Sequence, residues 1–331
     1  QDLIGSVIVF AAALSSLLAA VLGNLAPGLV GLSLTYALSV SGYLNWLVRS
    51  LADVEMKMNA LERCAVYLSV SNYMYLLFLL TPVALPPTWP SRGEVRVSGL
   101  STRYAADLEP VLMNVSVIFK GGEKVGICGR TGSGKSSLTL SLFRMIDNFA
   151  GKIYIDDVDI SKIGLHALRS KLSIIPQDPV LFAGTIRFNL DPLDSRSDQE
   201  LWDALAAAQL KGVVSDLPEG LDSVVSEGGE NFSVGQRQLF CLARAFLRKT
   251  KVLIMDEATA SLDLETDSVL QSAVTTAFAD RTVITIAHRL STILDYDHIL
   301  VLKDGRVMEN GSPQELLDDT NSLFSALVKG S

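Results

Sequence analysis

The N-terminal stretch of the chain has almost no polar rhythm. From Leu3 to Val48 it runs 46 residues without a formal charge, interrupted near the middle by Gly23-Asn24-Leu25-Ala26-Pro27-Gly28. A helix needs about 20 apolar residues to cross roughly 30 Å of hydrocarbon, so two spans fit, one on each side of a tight turn. Beyond Val48 the pattern turns amphipathic. Arg49, Asp53, Glu55, Lys57, Glu62 and Arg63 fall among Leu47, Leu51, Val54, Met58 and Leu61 at helical spacing. The pattern predicts helices over about 3–22 and 29–63, and Arg49, Lys57 and Arg63 mark the end of the second as cytoplasmic. Residues 64–91 are free of charge again, with an apolar run at Tyr73–Leu80 and prolines at 82, 86, 87 and 90. The expectation for this segment is a linker, interfacial or buried against protein.

From residue 92 onward the pattern becomes that of a water-soluble domain. Val95–Tyr104 and Val111–Lys120 alternate in the manner of strands, and Lys124–Cys128 is a short apolar strand. That strand enters Gly129-Arg130-Thr131-Gly132-Ser133-Gly134-Lys135-Ser136-Ser137 and a helical run over Leu138–Met145. The result is GxxxxGK[ST] in its strand–loop–helix setting. Glycines let the backbone curl so that N–H groups face phosphate oxygens, and the helix N-terminus adds partial positive charge. Lys135 reaches the β- and γ-phosphates, and Ser136 offers a hydroxyl to Mg²⁺. Further on, Lys251–Met255 reads as a strand buried on both faces that ends in Asp256 and Glu257. Asp256 is the candidate to hold Mg²⁺ through water, and Glu257 the candidate to polarise an attacking water. Between the two motifs, Ser233 caps a helix running through Leu239–Arg248, with Gly235 clearing space for backbone to approach a phosphate.

Composition sharpens the division. Residues 1–91 hold seven of the 64 charged side chains, whereas residues 92–331 hold 25 Lys and Arg against 32 Asp and Glu. An acidic balance argues against a nucleic-acid partner, and a mean hydropathy of +0.33 excludes intrinsic disorder. Cys64, Cys128 and Cys241 lie far apart with no CxxC spacing, so they read as reduced thiols rather than a zinc site or disulfide framework. The chain opens on Gln1 and not Met, as expected of a piece of a longer protein or of a processed N-terminus.

Glu227-Gly228-Gly229-Glu230-Asn231-Phe232-Ser233-Val234-Gly235-Gln236-Arg237-Gln238 resembles the signature motif of ABC transporter ATPases, with Phe232 and Val234 departing from the usual Leu-Ser-Gly-Gly-Gln. The Val resembles the second nucleotide-binding domain of subfamily C. Leu34-Thr35-Tyr36-Ala37-Leu38 and Tyr43-Leu44-Asn45-Trp46-Leu47-Val48-Arg49 are most similar to sulfonylurea receptors, while multidrug-resistance-type exporters share much of the same pattern. The resemblance implies a mixed fold: a transmembrane helical hairpin followed by an α/β P-loop domain with an antiparallel β subdomain and a helical signature subdomain. The implied division is 1–63 end of the transmembrane domain, 64–91 linker and 92–331 ATP-binding domain. It implies that Tyr104 stacks on adenine, Gln177 senses Mg²⁺, Asp263 belongs to a D-loop, and His288 is a switch facing the γ-phosphate. It implies ATP and Mg²⁺ as cofactors and, as partners, membrane lipid and a second nucleotide-binding domain that takes Ser233, Val234, Gly235 and Gln236 over its own ATP. Two functions stay open: an exporter of organic anions or conjugates in the plasma membrane, or a regulator bound to an ion-channel subunit.

Overall fold

The computed structural model describes residues 2–23, 26–79, 85–86, 88–105, 107–256, 264–287, 289–319 and 321–330, with the backbone alone at 2–4, 27, 41, 69–79, 264–266 and 330. The chain divides into two compact units, Gln1–Leu79 and Leu80–Ser331.

The first unit is an antiparallel pair of helices, α1 (Asp2–Val21) and α2 (Pro27–Leu79). Pro27 opens α2, where its missing N–H costs nothing. The hydroxyls within the apolar run turn back onto their own helices: Ser16 donates to Ala13 O at 3.1 Å, Ser33 to Val30 O, Thr35 to Gly31 O and Ser39 to Thr35 O, each at 2.9 Å. Such back-bonding satisfies a polar group within its own helix. Among the described residues no helix is both long and apolar enough to cross a membrane. The expected linker does not begin at Cys64, because α2 continues to Leu79. Cys64–Leu79 contains neither Gly nor Pro, so nothing stops the helix before the proline-rich stretch that opens at Pro82.

The second unit is built on two main sheets. The antiparallel sheet has the order β2-β1-β4-β5, from β1 (Val95–Thr102), β2 (Leu112–Phe119), β4 (Asn148–Ile155) and β5 (Val158–Asp159). The larger sheet has the order β12-β11-β3-β10-β9-β6. It comprises β3 (Lys124–Cys128), β6 (Leu172–Ile175), β9 (Val252–Asp256), β10 (Thr282–Ile286), β11 (His298–Lys303) and β12 (Arg306–Gly311). All its pairings are parallel except β11 with β12. A small hairpin joins β7 (Gly184–Thr185) to β8 (Val224–Val225).

The parallel strands are mostly apolar because each separates two cores, with the small polar Ser173, Thr282 and Thr285 buried among them. On β9, Val252 and Ile254 enter the core shared with the antiparallel sheet, while Leu253 and Met255 enter the core shared with the helical part. β10 and β11 divide the same way, with Ile284 and Leu300 on one side and Val283 and Ile299 on the other. Successive side chains of a strand point to opposite faces, so a sheet covered on both sides needs a continuous apolar run. Truncating a wholly buried residue such as Ile254 to Ala would cost about 2–5 kcal/mol. At the start of this unit Trp89 is buried, and its Nε1 donates to the Ile155 carbonyl at 2.9 Å, so the end of the expected linker packs on the antiparallel sheet.

Candidate functional site

Four parallel strands deliver their carboxyl ends to one sheet edge. Ile286 of β10 lies opposite both Ile127 of β3 and Asp256 of β9, and Met255 lies opposite Ile175 of β6. The loop from Gly129, the carboxylate Asp256 and the segment Pro176-Gln177 therefore leave the sheet along the same edge, where ligands of open α/β sheets gather. Gln177 is exposed and Asp256 half-buried. Glu257, Asp263 and His288 lie outside the described residues; Glu257 directly follows Asp256, and His288 lies two residues beyond Ile286, the end of β10.

The loop from β3 to α3 (Lys135–Leu142) is held in shape by its neighbours. Gly129, Gly132 and Gly134 have φ of +148°, +82° and +99°, conformations that favour glycine. A Cβ on Gly129 would collide with the Leu302 carbonyl oxygen, and one on Gly134 would lie 2.6 Å from the Leu112 side chain. Ser133 donates its N–H to Arg130 O at 3.1 Å and accepts from Gly305 N at 3.2 Å, so the β11–β12 turn braces the loop from behind. Gly134 caps α3 with no side-chain bond, which leaves the first N–H groups of an eight-residue helix without intrahelical partners. The buried Lys135 ammonium donates to Gly129 O at 2.9 Å and Arg130 O at 3.2 Å, and Arg130, Thr131 and Ser136 are exposed. Positive-φ glycines, helix N–H groups, an ammonium and hydroxyls make a donor set that fits a chain of phosphates.

Tyr104, just beyond β1, is 53% exposed, and its phenol shares a 3.0 Å hydrogen bond with the buried Ser137 hydroxyl. The aromatic ring is thus held beside the N-terminus of α3. Directly behind the loop, burial first and then the Glu309 carboxylate push the Cys128 thiol up to about 12 against the nearby Lys135, so this side chain is a neutral packing group and not a nucleophile.

The signature segment begins the helix Val234–Arg248. Ser233 and Gln236 form a reciprocal cap: Gln236 N donates to Ser233 Oγ at 3.1 Å, and Ser233 N donates to Gln236 Oε1 at 3.0 Å. The side chains of Ser233 and Val234 are exposed, whereas Gly235 is buried. Phe232, the departure from the usual Leu, is buried edge-to-face on Phe240 at 5.1 Å between centroids, which accounts for a large apolar residue there. Sequence reasoning missed three contributors. The buried Gln238 donates its Nε2 to Pro176 O at 2.9 Å. Arg244 donates to Asn189 O and Val180 O, and burial lowers its guanidinium below its ordinary range. Gly305 supports Ser133 from the far end of the chain.

The parallel sheet and the glycine-rich loop on β3 define a P-loop nucleoside-triphosphate-binding domain. Residues 112–260 match the ABC transporter family. ATP-binding cassette sub-family C member 8 of Rattus norvegicus and of Homo sapiens are each 55% identical over 329 residues, covering 99% of this chain and 21% of theirs. Metal resistance protein YCF1 of Saccharomyces cerevisiae is 49% identical over 327 residues, covering 98% of this chain and 22% of its own. Among solved structures, a bacterial Atm1-family ABC exporter with ATP bound is 33% identical with a TM-score of 0.69, over 88% of this chain and 52% of that one. The chain belongs to the ABC transporter family, in subfamily C, and carries its ATP-binding ATPase domain. It spans about a fifth of the length of these curated relatives.

Proposed function

We propose that this chain is the part of an ABC transporter that couples ATP binding and hydrolysis to export of organic anions or conjugates across the plasma membrane. The observation that carries the reading is the convergence of the glycine-rich loop, Asp256 and Gln177 on one sheet edge. An exporter is also the described activity of the 33%-identical solved structure. In this reading the backbone from Gly129 to Ser137 binds the phosphates, Lys135 meets the β- and γ-phosphates, and Tyr104 faces adenine. Ser136, Gln177 and Asp256 are an oxygen donor set that suits Mg²⁺, which takes few protein ligands and completes its shell from phosphate and water. Bound Mg²⁺·ATP supplies the phosphoanhydride and the charge neutralisation for phosphoryl transfer. Glu257 acts as base on water, His288 faces the γ-phosphate, and Asp263 sits in the loop between the sites.

Ser233 and Gln236 cap their own helix, with Val234 and Gly235 between them in its first turn. This arrangement suits service to the ATP of a second nucleotide-binding domain, supplied by another part of the full protein or by another copy. Residues 1–63 form the end of the transmembrane domain in this reading, supported by the 46 uncharged residues, with 92–331 in the cytosol. The test is ATP-dependent uptake of a labelled anionic conjugate into inside-out vesicles carrying the full-length protein. Uptake lost in Glu257→Gln, with ATP binding kept, is the expected result; unchanged hydrolysis in that variant would overturn the role of Glu257. A second reading, a nucleotide-sensing regulator of a potassium channel, draws on the sulfonylurea-receptor-like Leu34–Leu38 and Tyr43–Arg49. Hydrolysis without uptake across a conjugate panel would favour it.

A further inference from the structure

Gln238 occupies a position where a polar side chain needs a reason. It is 1% exposed and shares the buried face of its helix with Leu242 and Ala245. Burying a primary amide is unfavourable unless its hydrogen bonds are made. Here Nε2 donates 2.9 Å to the carbonyl of Pro176, the residue immediately before Gln177. Six residues along the same helix, Arg244 grips the chain beyond Gln177: Nε donates to Asn189 O at 2.7 Å, Nη1 to Val180 O at 2.9 Å and Nη2 to Asn189 Oδ1 at 2.7 Å. Asn189 closes that loop on itself, accepting from Phe182 N and donating to Phe182 O, both at 2.8 Å. The backbone before and after Gln177 is therefore bonded to one helix, which the Ser233–Gln236 pair caps, Gln236 standing two residues before Gln238.

The geometry points to Gln238 as a positioning residue for Gln177, tying the Mg²⁺-sensing loop of one nucleotide site to the helix whose first turn serves the other. This inference rests on the function proposed above. Gln238 touches neither nucleotide nor metal. It sets where Pro176 leaves β6, and so where the Gln177 carboxamide stands; displacements of about 1 Å at such a position are felt in turnover. The hydrogen bond to Pro176 O also couples the signature helix to the backbone that leads into Gln177.

The experiment uses the full-length protein with Gln238→Met, which keeps side-chain length and bulk and removes the donor; Gln238→Leu replaces it if that variant does not fold. The readout is the Mg²⁺ concentration for half-maximal ATP hydrolysis, alongside ATP affinity in EDTA, which a general loss of packing would weaken. The expected result is a rise in the Mg²⁺ requirement of about fivefold, the equivalent of one hydrogen bond, with ATP affinity in EDTA unchanged. In a Gln177→Ala background the same substitution is expected to add nothing. A Mg²⁺ requirement equal to wild type, or an equal increment with Gln177 already removed, would overturn the proposal. Normal turnover in Lys135→Ala would instead overturn the ATP-site reading and this inference with it, whereas a failure confined to Gln238 leaves Lys135→Ala inactive.

Discussion

The phenol of Tyr104 and the hydroxyl of Ser137 share a 3.0 Å hydrogen bond that joins the chain beyond β1 to the first turn of α3. The bond orients the ring and leaves its face open. Stacking of a base on an aromatic side chain is worth about 1–3 kcal/mol, so Tyr104→Ala should weaken ATP binding by that amount. Tyr104→Phe keeps the ring and loses only the tether, at a cost of about 1 kcal/mol. Calorimetric titration of both variants with ATP and with inorganic tripolyphosphate separates base from phosphate, since tripolyphosphate affinity should not move.

Gly305 lies 172 residues beyond Ser133 of the phosphate loop and is still part of its support. Its φ is +73° and a Cβ there would collide with the Val111 carbonyl oxygen, while its own N–H holds Ser133 O. Gly305→Ala combines backbone strain with a clash, for which about 2–3 kcal/mol is expected. Thermal unfolding should show a fall of several degrees, and ATP titration a weaker site although no residue of the loop is altered. An unchanged melting temperature would show that the turn relaxes freely.

Asp156 closes the segment that leads into the ATP-binding unit. Its carboxylate accepts from Ser91 N at 2.5 Å, Arg92 N at 2.8 Å and Gly93 N at 3.2 Å on one oxygen, and from Glu94 N at 2.8 Å on the other. Burial works against its charge, but these four donors together hold it below the usual carboxylate range. The folded value thus lies below the unfolded value near 3.9, so the contribution is complete above that pH and fades as pH falls through the folded value. Asp156→Asn should cost about 1–2 kcal/mol at neutral pH, allowing for solvent access to the loop. Denaturant melts at pH 7 and pH 3.5 should show the gap between wild type and variant narrowing in acid.

The thiols should divide into one fast and two slow. Cys64 is exposed, whereas Cys128 and Cys241 are buried and both are raised chiefly by burial. Maleimide labelling of the folded protein with peptide mapping should find Cys64 modified first, with Cys128 and Cys241 reacting only as denaturant is added. Rapid labelling of Cys128 would contradict the packing behind the phosphate loop.

What the sequence reveals depends on how local the determinant is. The phosphate loop is legible because its glycines, lysine and serine are consecutive and bounded by an apolar strand and a helix. The strand at Val252–Asp256 is legible because a sheet buried on both faces leaves four consecutive apolar positions before the carboxylate. The antiparallel strand β4 is not: Phe149–Lys152 is exposed and only Ile153 and Ile155 reach the core, so the alternation is too short to register. The run of α2 to Leu79 is hidden by reading absence of charge as a linker, when the determinant is absence of a helix breaker. Tyr104–Ser137, Gln238–Pro176 and Gly305–Ser133 span 33, 62 and 172 positions, and no local pattern encodes them. A polar residue in register with Leu242 and Ala245 on an apolar helix face is the single signal that marks Gln238.

The order of strands in the larger sheet has a consequence for synthesis. β3 carries the phosphate loop, yet both of its neighbours, β10 and β11, lie more than 150 residues later. A growing chain that has passed Asp256 has made every backbone group of the loop but neither strand that flanks its base. Pairings between such distant segments form slowly and leave strand edges open meanwhile. The base of the phosphate loop is therefore completed only after β11 and Gly305 have emerged.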